Sequence, residues 1–274
     1  MIENIDGVTV SEETLSHEIK VTRVEVASEQ AAAALGKSVG NYITIAFPRD
    51  IDTQEVYDAL TYAVRDELYK IMKLTPTDKV LAIGIGNKNI LVDSFGPRTV
   101  ERIEATSHLS EHGHEVPRAV SCLCPGVTGQ TGIETFRIVR SVVEEIKPDC
   151  IIVIDSLCSP ELKRLATTIQ ISDAGISPGS GIGRTAQSKI DRESMGVPVI
   201  AIGLPTVIGS TDIIASWFDV LGLDWIETEV CKVMERIPNN NELLALKDTE
   251  LVLDTLSDVV ADAINQLLLE SDAA

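Results

Sequence analysis

The sequence has few cysteines, and it has no apolar run long enough to cross a membrane. Its five cysteines form no C-x-x-C pair, and their number is odd. Such a set is typical of reduced thiols, and it argues against a disulfide framework or a zinc site. A membrane span needs about 20 apolar residues, and the acidic N-terminus lacks the apolar core of a secretory signal. We therefore expect a cytoplasmic protein without a membrane partner.

Positive charge is also scarce. The 274 residues include 23 basic and 42 acidic side chains, which gives a formal net charge of −19. A chain of this charge repels nucleic acid and anionic membranes at long range. The composition therefore predicts no direct nucleic-acid partner, although it says little about the fold.

Short apolar runs that alternate with helical patterns dominate the rest of the chain. With apolar residues at 44% of the total, the chain can fill a core. Unbroken apolar strands between helices are typical of a parallel sheet covered on both faces. The sequence thus predicts an α/β three-layer sandwich with a mostly parallel central sheet and helices on both faces, built as a single domain over residues 1–274. The predicted strands are 21–26, 42–47, 80–83, 150–154, 168–171 and 198–202, and the predicted helices include one starting after Asp52, one after Pro97, 134–146, one from Asp212 onward and 250–269.

Two acidic residues follow predicted strands. Asp93 lies in the loop after strand 80–83, and Asp155 directly follows strand 150–154. Ligands bind at the carboxyl ends of parallel strands, so neighbouring strands would bring both carboxylates to one cleft. Such a pair can share a proton, so that one member activates water while the other protonates or polarises an amide. From position alone, a helix cap or a loop hydrogen bond remains the alternative for each aspartate.

Glycine-rich loops lie beside these aspartates. Gly84-Ile85-Gly86 lacks the third glycine of a dinucleotide fingerprint, because Asn89 occupies that position. We therefore expect no nucleotide cofactor. The loops 125–132, 177–183 and 203–206 have backbone amides that could hold a peptide or an oxyanion, and plain turn chemistry is the alternative for each. The candidate substrate-binding residues are Gly86, Asn87, Gln130, Thr131, Ser180 and Gly181.

A small histidine cluster is the only other pattern suggestive of a metal. His112 and His114 are flanked by Glu111 and Glu115. Clusters of this kind are more often exposed loops than ligand sets, and we expect no metal site here.

The ordered set of these motifs resembles one family. The blocks run from residue 21 to residue 207, and they are densest from Gly84 to Arg98. They include Gly84-Ile85-Gly86-Asn87, Asp93-Ser94-Phe95-Gly96-Pro97-Arg98, Pro125-Gly126-Val127-Thr128-Gly129-Gln130-Thr131-Gly132, Ile154-Asp155-Ser156-Leu157 and Gly203-Leu204-Pro205-Thr206-Val207. Together they resemble the germination proteases of spore-forming bacteria, which degrade small acid-soluble spore proteins.

The resemblance implies an atypical aspartic endopeptidase with a fold similar to that of hydrogenase maturation proteases. Its catalytic pair would be Asp93 and Asp155, without a cofactor or a metal, and its substrates would be small acid-soluble spore proteins in the cytoplasm of the spore core. It further implies a homo-oligomer and a precursor form. Residues 1–20 are then a candidate short pro-segment, and residues 208–274 a shortened C-terminal helical part.

Two other functions stay open from the sequence. One is a metal-dependent maturation-type protease, although the loop 176–181 contains no histidine to complete such a site. The other is a non-catalytic relative that binds peptides without cutting them.

Overall fold

A computed structural model describes residues 5–178, 189–222 and 242–269 of the chain. In this part of the chain, nine strands form one sheet in the order β1-β2-β3-β7-β8-β6-β4-β5, with β9 paired to β8. The strands are β1 Val8–Thr14, β2 Lys20–Val26, β3 Gly40–Ala46, β4 Val80–Gly84, β5 Val120–Leu123, β6 Cys150–Ser159, β7 Thr168–Ser172, β8 Val199–Gly209 and β9 Leu243–Leu244. The helices are α1 Glu29–Leu35, α2 Gln54–Met72, α3 Phe95–Val100, α4 Ser107–Glu111, α5 Thr128–Thr131, α6 Thr135–Ile146, α7 Arg192–Met195, α8 Ser210–Val220 and α9 Thr249–Leu269.

The sheet has a parallel half and an antiparallel half. Strands β5, β4, β6 and β8 pair in parallel, whereas β1, β2, β3 and β7 extend the sheet from β8 in antiparallel pairs. The α/β architecture is therefore confirmed, and its parallel strands are concentrated in the half that contains both aspartates. Strand β1, which the sequence did not predict, forms the outer edge of the antiparallel half.

Helices cover both faces of the sheet. On β4, Val80 and Ala82 pack into a core with α2, α3 and α9, while Leu81 and Ile83 pack into a second core with α6. Burial on both faces explains why these strands are apolar at every position instead of alternating. The predicted three-layer arrangement is confirmed.

Helix α2 closely matches the helix predicted from the sequence. Leu60, Val64 and Leu68 are all fully buried, as their helical spacing predicts. Its N-cap is Thr53, whose side chain accepts a hydrogen bond from the backbone N–H of Val56, rather than the predicted Asp52. The difference is one residue, which is within the usual uncertainty of a helix start.

Two predictions need correction. Residues 203–206 do not form a loop, because they lie within β8, which runs fully buried from Val199 to Gly209. Helix α3 begins at Phe95 rather than after Pro97; a proline is tolerated in a first helical turn, where its missing N–H would have no partner in any case. Residues 238–241, Pro-Asn-Asn-Asn, have the composition of a linker, and they lie outside the described residues.

Candidate active site

Asp155 lies where the parallel half of the sheet opens. Strand β4 ends at Gly84, opposite Ile154 on β6, so Asp155 is the first residue of β6 beyond that pairing. On its other side, β6 still pairs with β8, and Asp155 lies opposite Gly203. The side chain is buried, with 7% of the residue exposed, and its Oδ1 accepts a hydrogen bond of 2.8 Å from the backbone N–H of Ser156.

Asp93 ends a turn that folds back from β4. Residues Leu91–Asp93 form a single turn of 3-10 helix, and the carbonyl oxygen of Val92 accepts a hydrogen bond of 2.6 Å from the hydroxyl of Thr206 on β8. The backbone N–H of Asn87 donates to Oδ2 of Asp93 over 2.8 Å. Strand β8 and the start of the loop thus both hold the half-buried Asp93 in place.

Two glycines let this turn pack against the sheet. Gly86 has a φ of +131°, and a Cβ at this position would collide with the carbonyl oxygen of Asp93. A Cβ on Gly96 would collide with the carbonyl oxygens of Ile154 and Ile85. Only a residue without a side chain permits these approaches, which bring the Asp93 loop and α3 directly onto β4 and β6.

The two carboxyl groups interact electrostatically. Burial raises the pKa of Asp155 well above its usual value, the negative charge of Asp93 raises it further, and the N–H of Ser156 opposes both effects. The geometry agrees, because β8 pairs with Asp155 at Gly203 and also holds the backbone beside Asp93 through Thr206. The structure therefore brings together the two aspartates that the sequence singled out, and such a pair can hold one proton and polarise a water molecule.

The predicted substrate-binding residues are placed differently from one another. Gly86 and Asn87 contact Asp93, as described above. Gln130 donates from Nε2 to Oδ1 of Asn87 over 2.6 Å, so it joins the same network. The hydroxyl of Thr131 bonds the carbonyl oxygen of Ile133 within its own turn. Ser180 and Gly181 lie outside the described residues.

Thr206 is a site residue that the sequence analysis did not single out. It is buried, with 3% of the residue exposed, and its hydroxyl holds the backbone next to Asp93. Its signal in the sequence is a single hydroxyl within the otherwise apolar run of β8. A buried polar group needs a partner, but the sequence alone does not show which one.

The histidine and cysteine side chains supply no alternative chemistry in the described ranges. No group of three or more His, Cys, Asp or Glu residues there could hold a metal ion, and Nδ1 of His112 contacts the carbonyl oxygen of His108 within one turn. Burial raises the pKa of Cys122 to about 11 and that of Cys150 to about 12. A nucleophilic cysteine needs a lowered pKa.

A groove of about 630 Å³ lies elsewhere on the molecule. It is lined by residues of β1, β2 and β3, by the end of α2 and by Pro198 to Ile200, and neither Asp93 nor Asp155 contributes to it. Asp93 and Asp155 therefore lie outside this groove. Arg23 and Lys70 both pair with the buried Glu67, Arg23 pairs also with Glu13, and Lys70 pairs also with Asp66.

The chain was also compared with known proteins. A sequence profile described as germination protease matches residues 1–245. The chain belongs to the germination protease family. This membership supports the identification of the protein as a protease, that is, a peptide-bond hydrolase that acts in spore germination. Within the described residues, no helix is both long enough and apolar enough to span a membrane.

Several curated relatives carry the name germination protease. The relative from Caldanaerobacter subterraneus subsp. tengcongensis is 47% identical over 218 residues, which is 76% of this chain and 65% of the relative. A relative from Clostridium perfringens is 34% identical over 95% of this chain and 88% of its own length. The relative from Clostridium tetani is 36% identical over 92% of this chain and 77% of its own length.

Proposed function

We propose that this protein is an aspartic endopeptidase that hydrolyses small acid-soluble spore proteins during germination, with Asp93 and Asp155 as its catalytic pair. The observation that carries the proposal is the buried Asp155, whose pKa is raised by burial and by the adjacent Asp93. Raised carboxyl pKa values at strand ends are typical of functional sites. Membership in the germination protease family supports peptide-bond hydrolysis during germination.

The environments of the two aspartates suggest different roles. Asp155, whose neutral form is favoured, carries a proton. Asp93 is a carboxylate, and it accepts a hydrogen bond from the backbone N–H of Asn87. Asp93 takes a proton from water as the water oxygen bonds to the peptide carbonyl carbon. Asp155 then gives its proton to the amide nitrogen as the C–N bond breaks. Transfer of the proton from Asp93 to Asp155 restores the starting state.

This mechanism is tested by neutralising each aspartate. We expect Asp93→Asn and Asp155→Asn each to lower kcat by at least about a thousandfold while the protein stays folded. The matched control is Asp149→Asn, because Asp149 directly precedes the opposite end of β6, and its carboxylate only accepts the backbone N–H of Lys79. Cleavage of a purified small acid-soluble spore protein, with circular dichroism as the folding check, gives the measurement.

The outcomes also separate the competing functions. Near-normal cleavage by either Asn variant would remove that aspartate from the mechanism. Tight binding of the substrate without cleavage by the unmodified protein would instead identify a peptide-binding relative. Cleavage that is lost after chelation and restored by one divalent metal would identify a metal-dependent protease.

The remaining assignments extend the proposal to the cell. We place the protein in the cytoplasm of the spore core, as a homo-oligomer made with a short pro-segment within residues 1–20. These features are expected from the resemblance of the sequence motifs to the germination proteases. Light scattering of the purified protein measures the oligomer, and intact mass before and after activation measures the processing.

A further inference from the structure

The side chain of Gln130 links two loops at the candidate site. Its Nε2 donates to Oδ1 of Asn87 over 2.6 Å, and its Oε1 accepts the backbone N–H of Val127 over 3.3 Å. Gln130 belongs to α5, in the loop after β5, whereas Asn87 lies in the loop after β4. Both ends of the glutamine amide are therefore engaged by the protein itself.

Asn87 links the side chain of Gln130 to Asp93. Its Oδ1 also accepts the backbone N–H of Asn89 over 3.0 Å, which closes a local turn around the asparagine. Its own backbone N–H then points at Oδ2 of Asp93 over 2.8 Å. The orientation of that N–H depends on the turn, and the turn is fixed by the asparagine side chain that Gln130 holds.

We propose that Gln130 is a positioning residue, which acts through Asn87 to orient the carboxylate of Asp93 for catalysis. The inference rests on the proposed function, and it replaces direct substrate binding as the role of Gln130. A hydrogen-bonded partner one step removed from a reacting group fixes its geometry, and a displacement of about 1 Å at such a group can cost a hundredfold in rate.

A positioning role and a substrate-binding role change different kinetic constants. If Gln130 orients Asp93, then Gln130→Ala lowers kcat by about tenfold or more and leaves KM nearly unchanged. The acidic limb of the kcat profile also moves to higher pH, because Asp93 loses an ordered donor to its charged form. If Gln130 binds substrate directly, KM rises while the pH profile of kcat stays in place.

A double-mutant cycle tests whether the effect passes through Asn87. We expect Asn87→Ala, Gln130→Ala and the double variant to show similar losses of kcat, because the two side chains act as one unit. Losses that multiply in the double variant would overturn the proposal. The matched control is Gln54→Ala, which removes an exposed glutamine that also donates from Nε2, in that case to Asp58 on α2.

A measurement without substrate separates this inference from the proposed function. Carboxyl-carbon NMR of the ¹³C-labelled protein follows the titration of Asp93 in the unmodified chain and in Gln130→Ala. We expect the midpoint for Asp93 to move upward in Gln130→Ala and to stay in place in Gln54→Ala. An unmoved midpoint together with an unchanged kcat would refute the positioning role, even if Asp93→Asn abolishes cleavage. Normal cleavage by Asp93→Asn would instead refute the catalytic assignment.

Discussion

Asp155 lowers the stability of the protein at neutral pH. Burial and the charge of Asp93 raise its pKa in the folded state above the ordinary carboxyl value, so the folded state binds this proton more tightly than the unfolded state. For a carboxyl group shifted in this direction, stability falls as pH rises from the unfolded pKa toward the folded pKa. The arrangement therefore opposes folding under the conditions in which it would serve catalysis.

Replacing this carboxyl group should stabilise the fold. We expect Asp155→Asn to raise the free energy of unfolding at pH 7 by on the order of 1 kcal/mol, because an asparagine is neutral and its Oδ1 can still accept the Ser156 N–H. The gain should vanish below about pH 4, where the aspartate is protonated in both states. Urea unfolding at both pH values gives the comparison, and Asp149→Asn should show no such gain. Equal stability of Asp155→Asn and the unmodified protein at pH 7 would contradict this account.

Thr206 offers a test of how firmly Asp93 is held. Thr206→Val removes the donor to the carbonyl oxygen of Val92, and we expect it to cost about 1–3 kcal/mol of stability because that acceptor loses its partner. We also expect kcat to fall by about tenfold, since the residue next to Val92 is Asp93.

Thr168→Val is the matched control for Thr206→Val. Thr168 on β7 is buried to the same degree, 3% exposed, and its hydroxyl donates to the carbonyl oxygen of Arg164 over 3.2 Å. This variant should lose comparable stability while kcat remains near that of the unmodified enzyme. Equal losses of kcat in both variants would show that the effect is global and does not arise at Asp93.

Helix α3 connects the Asp93 turn to the rest of the molecule. It begins two residues after Asp93, and Gly96 packs against the backbone of β4 and β6. Arg98 of α3 and Arg102, two residues beyond its end, form ion pairs with Asp254 of α9, and Arg102 also pairs with Asp258. These pairs are half-exposed and each contributes little, so the close packing at Gly96 is the contact that determines where α3 lies.

A methyl group added at Gly96 should therefore strongly destabilise the protein. We expect Gly96→Ala to cost about 3 kcal/mol or more and to abolish cleavage, because its Cβ meets two backbone carbonyl oxygens that cannot move independently. Gly129→Ala on α5 is the control, since a Cβ there has no neighbour within 4 Å. That variant should be neutral or gain up to about 1 kcal/mol from helix propensity. Thermal unfolding of both variants is the measurement, and a tolerated Gly96→Ala would show that α3 can move without affecting the sheet.

At the scale of the whole molecule, the two halves of the sheet contribute differently, because one holds the two aspartates and the other extends the core. The parallel half ends in the two aspartates, as the rule for carboxyl ends of parallel strands predicts. The antiparallel half, which consists of β1 to β3 and β7, enlarges the hydrophobic core. There Ile43 and Ile45 on β3 pack with Leu60 of α2. The net charge of −19 is a property of the whole surface, and it disfavours nucleic acid as a direct partner.

Much of the fold was predictable because burial on both faces makes a strand apolar throughout. Strands β4, β6 and β7 each contain the run predicted for them, and β8 contains its predicted run except for Pro198. Leu60, Val64 and Leu68 marked the buried face of α2. The missed elements have weaker patterns. β1 is a largely exposed edge strand with no apolar run. Residues 203–206, in the middle of β8, looked like a loop because they contain Gly203 and Pro205.

The sequence by itself determined the layered α/β class, the buried strands and the two aspartates at strand ends, because these depend on local periodicity and on where each strand stops. Only the tertiary structure decided that β4 and β6 are neighbours, that Gly86 and Gly96 let the turn close onto them, and that Thr206 and Gln130 reach the Asp93 loop. Gln130 and Asn87 are 43 positions apart in the chain, and Thr206 and Val92 are 114 positions apart. Packing between distant segments creates such contacts, and no local pattern encodes them.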